Sequence, residues 1–452
     1  MTTSLIILAA GQGTRMQSDQ PKVLHQIAHA PLIAHAIRAG ASVAPERIVV
    51  VAGHGAEAVA KATNEAAPEA QVVLQSEQLG TGHAVQQARS ALEGVTGDAI
   101  VLYGDTPFIR PETLSAMAKA RASGHAVVVL GFEPVDPARY GRLKMSGDSL
   151  DAIVEFKDAT DKERAITLCN SGVICADAAE LFSLLDDVTN DNASGEYYLT
   201  DVIAIARARG LSCGVVTCDE AETMGINSRA DLAAAEAAFQ SRARAEALTA
   251  GVTLTAPETV YFAHDTHLGR DATIEPHVIF GPGVTVETGA TIRAFSHLEG
   301  CHVSTGAIVG PYARLRPGAE LANNAKVGNF CEVKNAEVGE GAKINHLSYI
   351  GDATVGDGAN IGAGTVTCNY DGYFKHHTEI GARAFIGSST MLVAPVRVGD
   401  EALTASGSVI TRDVEDGALA LGRARQTTKP GLARKLMGKL KAAKMAKMKE
   451  AK

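Results

Sequence analysis

From Ile274 onwards an aliphatic or aromatic residue returns at every sixth position: Ile274, Phe280, Val286, Ile292 and Leu298. After a one-residue slip the series resumes as Val303, Val309, Leu315, Leu321, Val327 and Val333. It then continues through Val338, Ile344 and Ile350, through Val355 and Ile361, and beyond a gap through Ile380, Ile386, Leu392 and Val398. Neither the helical period of about 3.6 nor the strand alternation of about two produces this spacing. A hexapeptide repeat does. It winds a parallel β-helix whose aliphatic residue points inward while glycines and small residues turn the corners, as in "IGDATVGDGANIGAG". A chain with 45 glycines and no tryptophan suits many tight turns. The stretch "TCNYDGYFKHHTE", 367–379, interrupts the series and reads as an insertion on a solenoid face, where binding residues collect.

The first half has a different rhythm. Apolar runs at Leu5 to Leu8, Ile48 to Ala52, Val72 to Leu74, Ala99 to Tyr103 and Ala126 to Phe132 alternate with helical stretches such as Leu32 to Ala44. This order predicts a mostly parallel sheet with helices on both faces. Ser228 and Asp231 form a capping-box pattern before an alanine-rich helix with sparse large apolar residues, which reads as a connecting arm. The chain therefore divides into an α/β nucleotide-binding domain at 1–226, a linker helix at 227–251 and a hexapeptide-repeat domain at 252–430. A basic tail at 431–452 follows, with eight Lys or Arg against one Glu; it reads as a solvated helix or disordered segment.

The turn "LAAGQGTRM" departs from the dinucleotide fingerprint because Met16 stands at the third glycine position, and it is no Walker-type phosphate loop. Gly11 and Gly13 give the backbone close access to phosphates, and Arg15 and Lys22 supply the cations. With a net charge of -9 the protein must gather an anionic substrate through such local basic groups, and nothing points to nucleic acid. Asp105 falls beyond the carboxyl end of a strand, where ligands sit on open α/β sheets; it is read either as a metal-holding carboxylate or as a helix cap. Gln75, Gly80 and Thr81 offer polar edges suited to a nucleobase and phosphates. Gly141, Glu155 and Asn170 add polar groups that taken singly read as turn residues. In the second half Arg314, Arg316, Lys334, His346 and Tyr349 fall within a few coils, with Asn360 close behind. The absence of a leader, of a membrane-length apolar run and of any C-x-x-C pair among seven cysteines points to a reduced, cytoplasmic protein without membrane insertion.

"LAAGQGTRM", Lys22, "LGTGHA", "YGDTP", "YGR", "VEFKDA", "NSG" and Asn227 resemble the sugar-nucleotide pyrophosphorylases. Joined to the hexapeptide half, they are similar to the bacterial bifunctional N-acetylglucosamine-1-phosphate uridyltransferase/glucosamine-1-phosphate acetyltransferase family. The resemblance implies a Rossmann-like nucleotidyltransferase domain followed by a left-handed parallel β-helix, assembled as a homotrimer. It implies UTP and sugar-nucleotide binding by Leu8, Ala9, Ala10, Gly11, Lys22, Gln75, Gly80, Thr81, Tyr103, Gly104, Asp105, Gly141, Glu155, Asn170 and Asn227. Asp105 and Asn227 would hold Mg2+, and Arg15 and Lys22 would serve catalysis. Glucosamine 1-phosphate would meet Arg316, Lys334, Tyr349, Asn360 and Lys375, with His346 as catalytic base. Acetyl-CoA would meet Ala363, Asn369, Tyr370, Ser388, Ser406 and Arg423. The chain departs from the family pattern twice: Ser406 replaces an alanine, and His376-His377 occupies part of the insertion where a second lysine is common.

Overall fold

The structure is a computed structural model and describes residues 2–137 and 139–450. It divides into two compact units. The first runs to Thr249 and takes in Tyr261–Thr266 and Phe280–Pro282; the second comprises Ala250–Val260, His267–Ile279 and the chain from Gly283.

In the first unit nine strands form one sheet. They are β1 (Thr3–Ala9), β2 (Arg47–Ala52), β3 (Gln71–Leu74), β4 (Asp98–Tyr103), β5 (Val127–Phe132), β6 (Arg142–Ser146), β7 (Ser149–Val154), β8 (Cys169–Asp177) and β9 (Cys213–Cys218). The main order is β9-β5-β8-β4-β1-β2-β3, with the β6–β7 hairpin attached to β8. Pairs β1/β2, β1/β4, β2/β3 and β5/β9 are parallel. Strand β8 runs antiparallel between β4 and β5. The chain reaches β8 from a hairpin through one short helical turn (Asp161–Arg164) instead of a crossover helix, which places an antiparallel strand inside the sheet.

Both faces of β1 are apolar because both are covered. Leu5, Ile7 and Ala9 pack with Ile33, Ile37, Val59, Leu114 and Met117 from three helices. Ile6 and Leu8 pack on the other side with Ala84, Val85, Leu181, Leu184, Val202 and Ile203. The Ser228/Asp231 box forms: Ser228 N–H donates to the Asp231 carboxylate at 2.8 Å and Asp231 N–H donates to Ser228 Oγ at 3.2 Å. The helix it starts, Arg229–Thr249, belongs to the first unit and carries more core than a connecting arm would. Ala235 and Phe239 pack with Ile27, Leu32, Phe108 and Ile226. Buried Gln240 donates to the Phe262 carbonyl at 2.7 Å and accepts from the Phe262 N–H at 2.8 Å. An anchor made by a polar amide is invisible to a count of apolar residues.

The second unit is a parallel β-helix, left-handed in keeping with its fold class. All twenty repeat residues from Ile274 to Val398 are buried, and in register they stack into columns. One joins Val327, Ile344, Ile361, Ile386 and Thr404. Another joins Val303, Leu321, Val338, Val355, Ile380 and Val398. The residue two places earlier is small and buried as well, as at Ala290, Ala307, Ala325, Ala342 and Ala359, so each segment contributes two inward positions. The insertion begins later than the gap in aliphatic residues suggests. Thr367 is itself an inward position, in register with Leu392, and its hydroxyl accepts from Gly351 N–H at 2.8 Å.

The basic tail forms a helix, Leu432–Glu450, exposed along 432–449; its Ala451 and Lys452 lie outside the described residues. Among the described residues no helix is long and apolar enough to cross a membrane.

Candidate active sites

In the first unit the carboxyl ends of β1 and β4 open into a cleft of about 340 Å³. Leu8, Ala9, Ala10, Gly11, Lys22, Gln75, Gly80, Thr81, Tyr103 and Asp105, all singled out from the sequence, line it together. At Gly11 a β-carbon would meet nothing within 4 Å, so the turn leaves its ligand side open. Gly13 has a different reason for being glycine. Its φ of 64° is left-handed, and a β-carbon there would stand 2.6 Å from Lys22 Cβ, so the glycine makes room for the lysine rather than for a phosphate.

Lys22 is the hub of the mouth of this cleft. Its ammonium pairs closely with the Asp105 carboxylate and donates to Asn227 Oδ1 at 3.1 Å. The capping box fixes the third partner, because Asn227 N–H also donates to Asp231 at 3.0 Å. Two hard oxygen donors thus converge on one cation. Gly104 N–H donates to the Leu8 carbonyl at 2.9 Å and ties β4's end to the turn. Gln75 is buried, its amide donating to the Gly80 carbonyl at 3.1 Å.

A neighbouring cavity of about 540 Å³ is lined by Glu155, Phe156, Ser194, Glu196 and Tyr198 among others, and Glu196 borders both spaces. Burial pushes the Glu155 carboxyl above its ordinary range, and a 3.3 Å hydrogen bond from Thr200 opposes this only in part. Gly141 lies against Glu155, and its carbonyl accepts from Asn170 N–H at 2.9 Å. Tyr103 lines the first cleft: burial first, then the nearby carboxylates of Asp105 and Glu155, raise its phenol well above the ordinary value. Arg15 stands exposed on the Thr14–Met16 turn and is not part of either wall.

In the β-helix, Asn329, His346, Ala363, Ser388 and Ser406 occupy one corner on successive coils, as the ladder register requires. His346 Nδ1 lies 2.8 Å from Asn329 Oδ1. On the following face Arg316 donates to Glu332 at 2.9 Å, Tyr349 is in register with Glu332, and Lys334 with Gly351. The insertion brings Lys375 to this face beside Lys334, whose ammonium holds that of Lys375 below its ordinary range. Asn360 stands on the preceding face, next to Lys343 in register. At the base of the loop Asn369 donates to Asp352; Tyr370, the next residue, is exposed and bridges to Lys375. Arg423 is exposed beyond the last strand, Leu419–Ala420. His376 and His377 take separate partners, Asp371 at 2.7 Å and Thr354 at 3.0 Å.

Residues 5–167 match the MobA-like NTP transferase domain. Over 447 residues the chain is 68% identical to the bifunctional protein GlmU of Jannaschia sp. (strain CCS1), covering 99% of this chain and 98% of that one. It is 70% identical over 449 residues to the bifunctional protein GlmU of Ruegeria sp. (strain TM1040), covering 99% and 100%. The chain belongs to the bifunctional GlmU family.

In this GlmU-family chain the structure adds residues that sequence reasoning passed over. Gln78 and Glu196 line the first cleft, and Gln78 donates to the Ala10 carbonyl at 2.9 Å. Asn329 lay within reach of the repeat, since it holds the same position as His346 one coil earlier. Asp352 sits between two asparagines, and nothing in its local sequence marks it.

Proposed function

We propose that this GlmU-family enzyme acetylates glucosamine 1-phosphate with acetyl-CoA in its β-helical unit. In its first unit it then transfers uridylyl from UTP to N-acetylglucosamine 1-phosphate, giving UDP-N-acetylglucosamine and pyrophosphate for peptidoglycan and lipopolysaccharide precursors. The observation that carries the reading is His346, held by Asn329 on the same corner as Ala363 and Ser388, in a chain that also has the Lys22 cleft.

A sugar phosphate already bears its nucleophilic oxygen, so attack on the α-phosphorus needs alignment and charge neutralisation more than a base. Leu8 to Gly11, Gln75, Gly80 and Thr81 receive the nucleotide. Tyr103, Gly104, Gly141, Glu155 and Asn170 receive the sugar. Lys22 stands at the phosphates, and Arg15 reaches in from the rim to offset charge on the departing pyrophosphate. The carboxylate of Asp105 and the amide oxygen of Asn227, already aimed at one cation, suit a hard divalent ion and would hold Mg2+. Bound there, the ion neutralises triphosphate charge.

For acetyl transfer the amino group must be in its neutral form to be a nucleophile, and it must shed a proton as it becomes an amide. His346 Nε2 takes that proton as nitrogen attacks the thioester carbonyl, the C–S bond breaks, and the departing thiolate receives a proton from the resulting imidazolium. Arg316, Lys334, Tyr349, Asn360 and Lys375 hold the sugar phosphate. Asn369, Tyr370, Ser388, Ser406 and Arg423 contact acetyl-CoA, and Ala363 lies by its acetyl group. The Ser406 departure leaves a contact made through the backbone intact. We place the enzyme in the cytoplasm as a homotrimer; its seven unpaired cysteines suit a reducing compartment.

The test mixes purified protein with acetyl-CoA and glucosamine 1-phosphate and follows free thiol, and separately with UTP, N-acetylglucosamine 1-phosphate and Mg2+ and follows pyrophosphate. Thiol release that needs the amino sugar and vanishes in His346→Ala supports the β-helical site and its base, and Mg2+-dependent pyrophosphate release supports the first site. Pyrophosphate without thiol release would reduce the β-helix to a scaffold.

A further inference from the structure

Asp352 follows Gly351 in the strand Tyr349–Val355, with a left-handed φ of 48° and only 8% of its surface exposed. One carboxylate oxygen accepts from Asn335 Nδ2 at 2.7 Å, and the other accepts from Asn369 Nδ2. Asn335 belongs to the coil below, while Asn369 is where the insertion leaves the coil above. Two further charged groups face the same carboxylate. Lys334 adjoins Asn335 and is in register with Gly351, and Lys375 comes down from the insertion. Burial pushes the Asp352 carboxyl up, but the two amide donors and then the two lysines outweigh it and hold it below the ordinary range.

The two ammonium groups have no reason to adjoin one another unless something anionic lies between or beside them. Lys334 pulls the Lys375 ammonium down; Asp352, and behind it Tyr349, push it back up. A buried carboxylate satisfied by two amides is a fixed charge, and its field is stronger than that of a solvated one. Two lysines against one carboxylate still leave a net positive charge for a phosphate.

We infer that Asp352 is a positioning residue for acetyl transfer: it fastens the base of the insertion through Asn369 and so sets Lys375 beside Lys334 for the sugar phosphate. The inference rests on the acetyltransferase reading above. It assigns Asp352 no contact with either substrate.

Asp352→Asn removes the charge and one acceptor oxygen while keeping the backbone, since asparagine also tolerates the left-handed conformation. With one oxygen left it can accept only one of the two amide donors. In the full-length protein the KM for acetyl-CoA should rise about tenfold through the released Asn369. The alkaline limb of the KM profile for glucosamine 1-phosphate should move to lower pH, because Lys375 now loses its proton more readily. Asn369→Ala in the Asp352→Asn background should add little to the first effect. Should Asp352→Asn fold poorly by circular dichroism, Asp352→Ser gives the same two readings. An unchanged acetyl-CoA KM together with an unmoved pH limb overturns the inference, as does a fall in melting temperature and kcat alone. If the wild type itself releases no thiol, the acetyltransferase reading fails first and takes this one with it.

Discussion

The imidazole of His346 and the side-chain amide of Asn329 meet at 2.8 Å across one rung of the β-helix ladder, through Nδ1 and Oδ1. An amide oxygen only accepts, so the ring proton of the neutral histidine sits on Nδ1 and the Nε2 lone pair is left for a substrate amine. The parallel register sets this geometry: the residue one coil earlier at the same corner is the one that can orient the ring.

His346→Ala should therefore lower acetyl transfer by roughly 10²- to 10⁴-fold, the usual contribution of a positioned base. Asn329→Ala should cost about tenfold, since the base stays but its tautomer and tilt are released. Thiol release measures both, and pyrophosphate release in the same preparations should match wild type. A His346→Ala protein that acetylates at full rate would remove the histidine from the chemistry.

Asp105→Ala should abolish Mg2+-dependent pyrophosphate release and spare acetyl transfer. Lys22→Met should also suppress uridylyl transfer, and it tests the pairing in a second way. Asp105 then loses its ammonium partner, and with side chains only 14% and 17% exposed the pair is partly shielded from water. A destabilisation of about 1 kcal/mol is expected, visible in chemical denaturation and relieved in Lys22→Met/Asp105→Asn. No recovery in the double variant would mean that the contact contributes nothing to folding.

The insertion should depend on Asp371. Its carboxylate accepts from Tyr373 N–H at 2.8 Å, from Phe374 N–H at 2.7 Å and from His376 Nε2 at 2.7 Å. The Phe374 backbone donor leads in holding the carboxyl down at about 2, with His376 and Tyr373 adding to it. The sign follows from a depressed carboxyl: its support of the loop is present above the ordinary 3.8 and is lost as pH falls towards about 2. Asp371→Asn should raise the KM for glucosamine 1-phosphate severalfold, because the loop carries Lys375, and leave uridylyl transfer unchanged. Equal KM values in the two proteins would show that the loop holds its shape without that carboxylate.

How far the sequence carried these conclusions depends on the range of the signal. The six-residue period located twenty inward residues, all of them buried, because each is dictated by its own coil. It passed over Thr367, whose hydroxyl satisfies Gly351 within the core and so let a polar residue stand in an aliphatic column. The cleft residues near the glycine-rich turn were legible since they cluster in short motifs. Glu196 and Gln240 were not: each acquires its place from a segment distant in sequence, and neither carries a local pattern. Arg15 shows the converse, a motif residue that stands exposed and lines neither cavity wall.

Glu155, proposed above to meet the sugar nucleotide, links the first site to stability. Burial is the main reason its carboxyl lies above the ordinary 4.5, with the carboxylates of Asp158 and Asp201 adding to it and Thr200 opposing. In the unfolded chain this group ionises first, so as pH climbs from 4.5 through the raised folded value the native state holds the extra proton. Stability then falls with rising pH across that window and stays lower above it. Glu155→Gln should remove this decline, making the variant's unfolding midpoint relative to wild type higher at neutral pH than at pH about 4. The same substitution should weaken uridylyl transfer, since the charge the fold tolerates at a penalty is the one proposed to meet the sugar nucleotide. Denaturation curves at several pH values, run beside pyrophosphate release, separate the two effects. A midpoint difference that does not change with pH would place Glu155 in a better solvated setting than its burial implies.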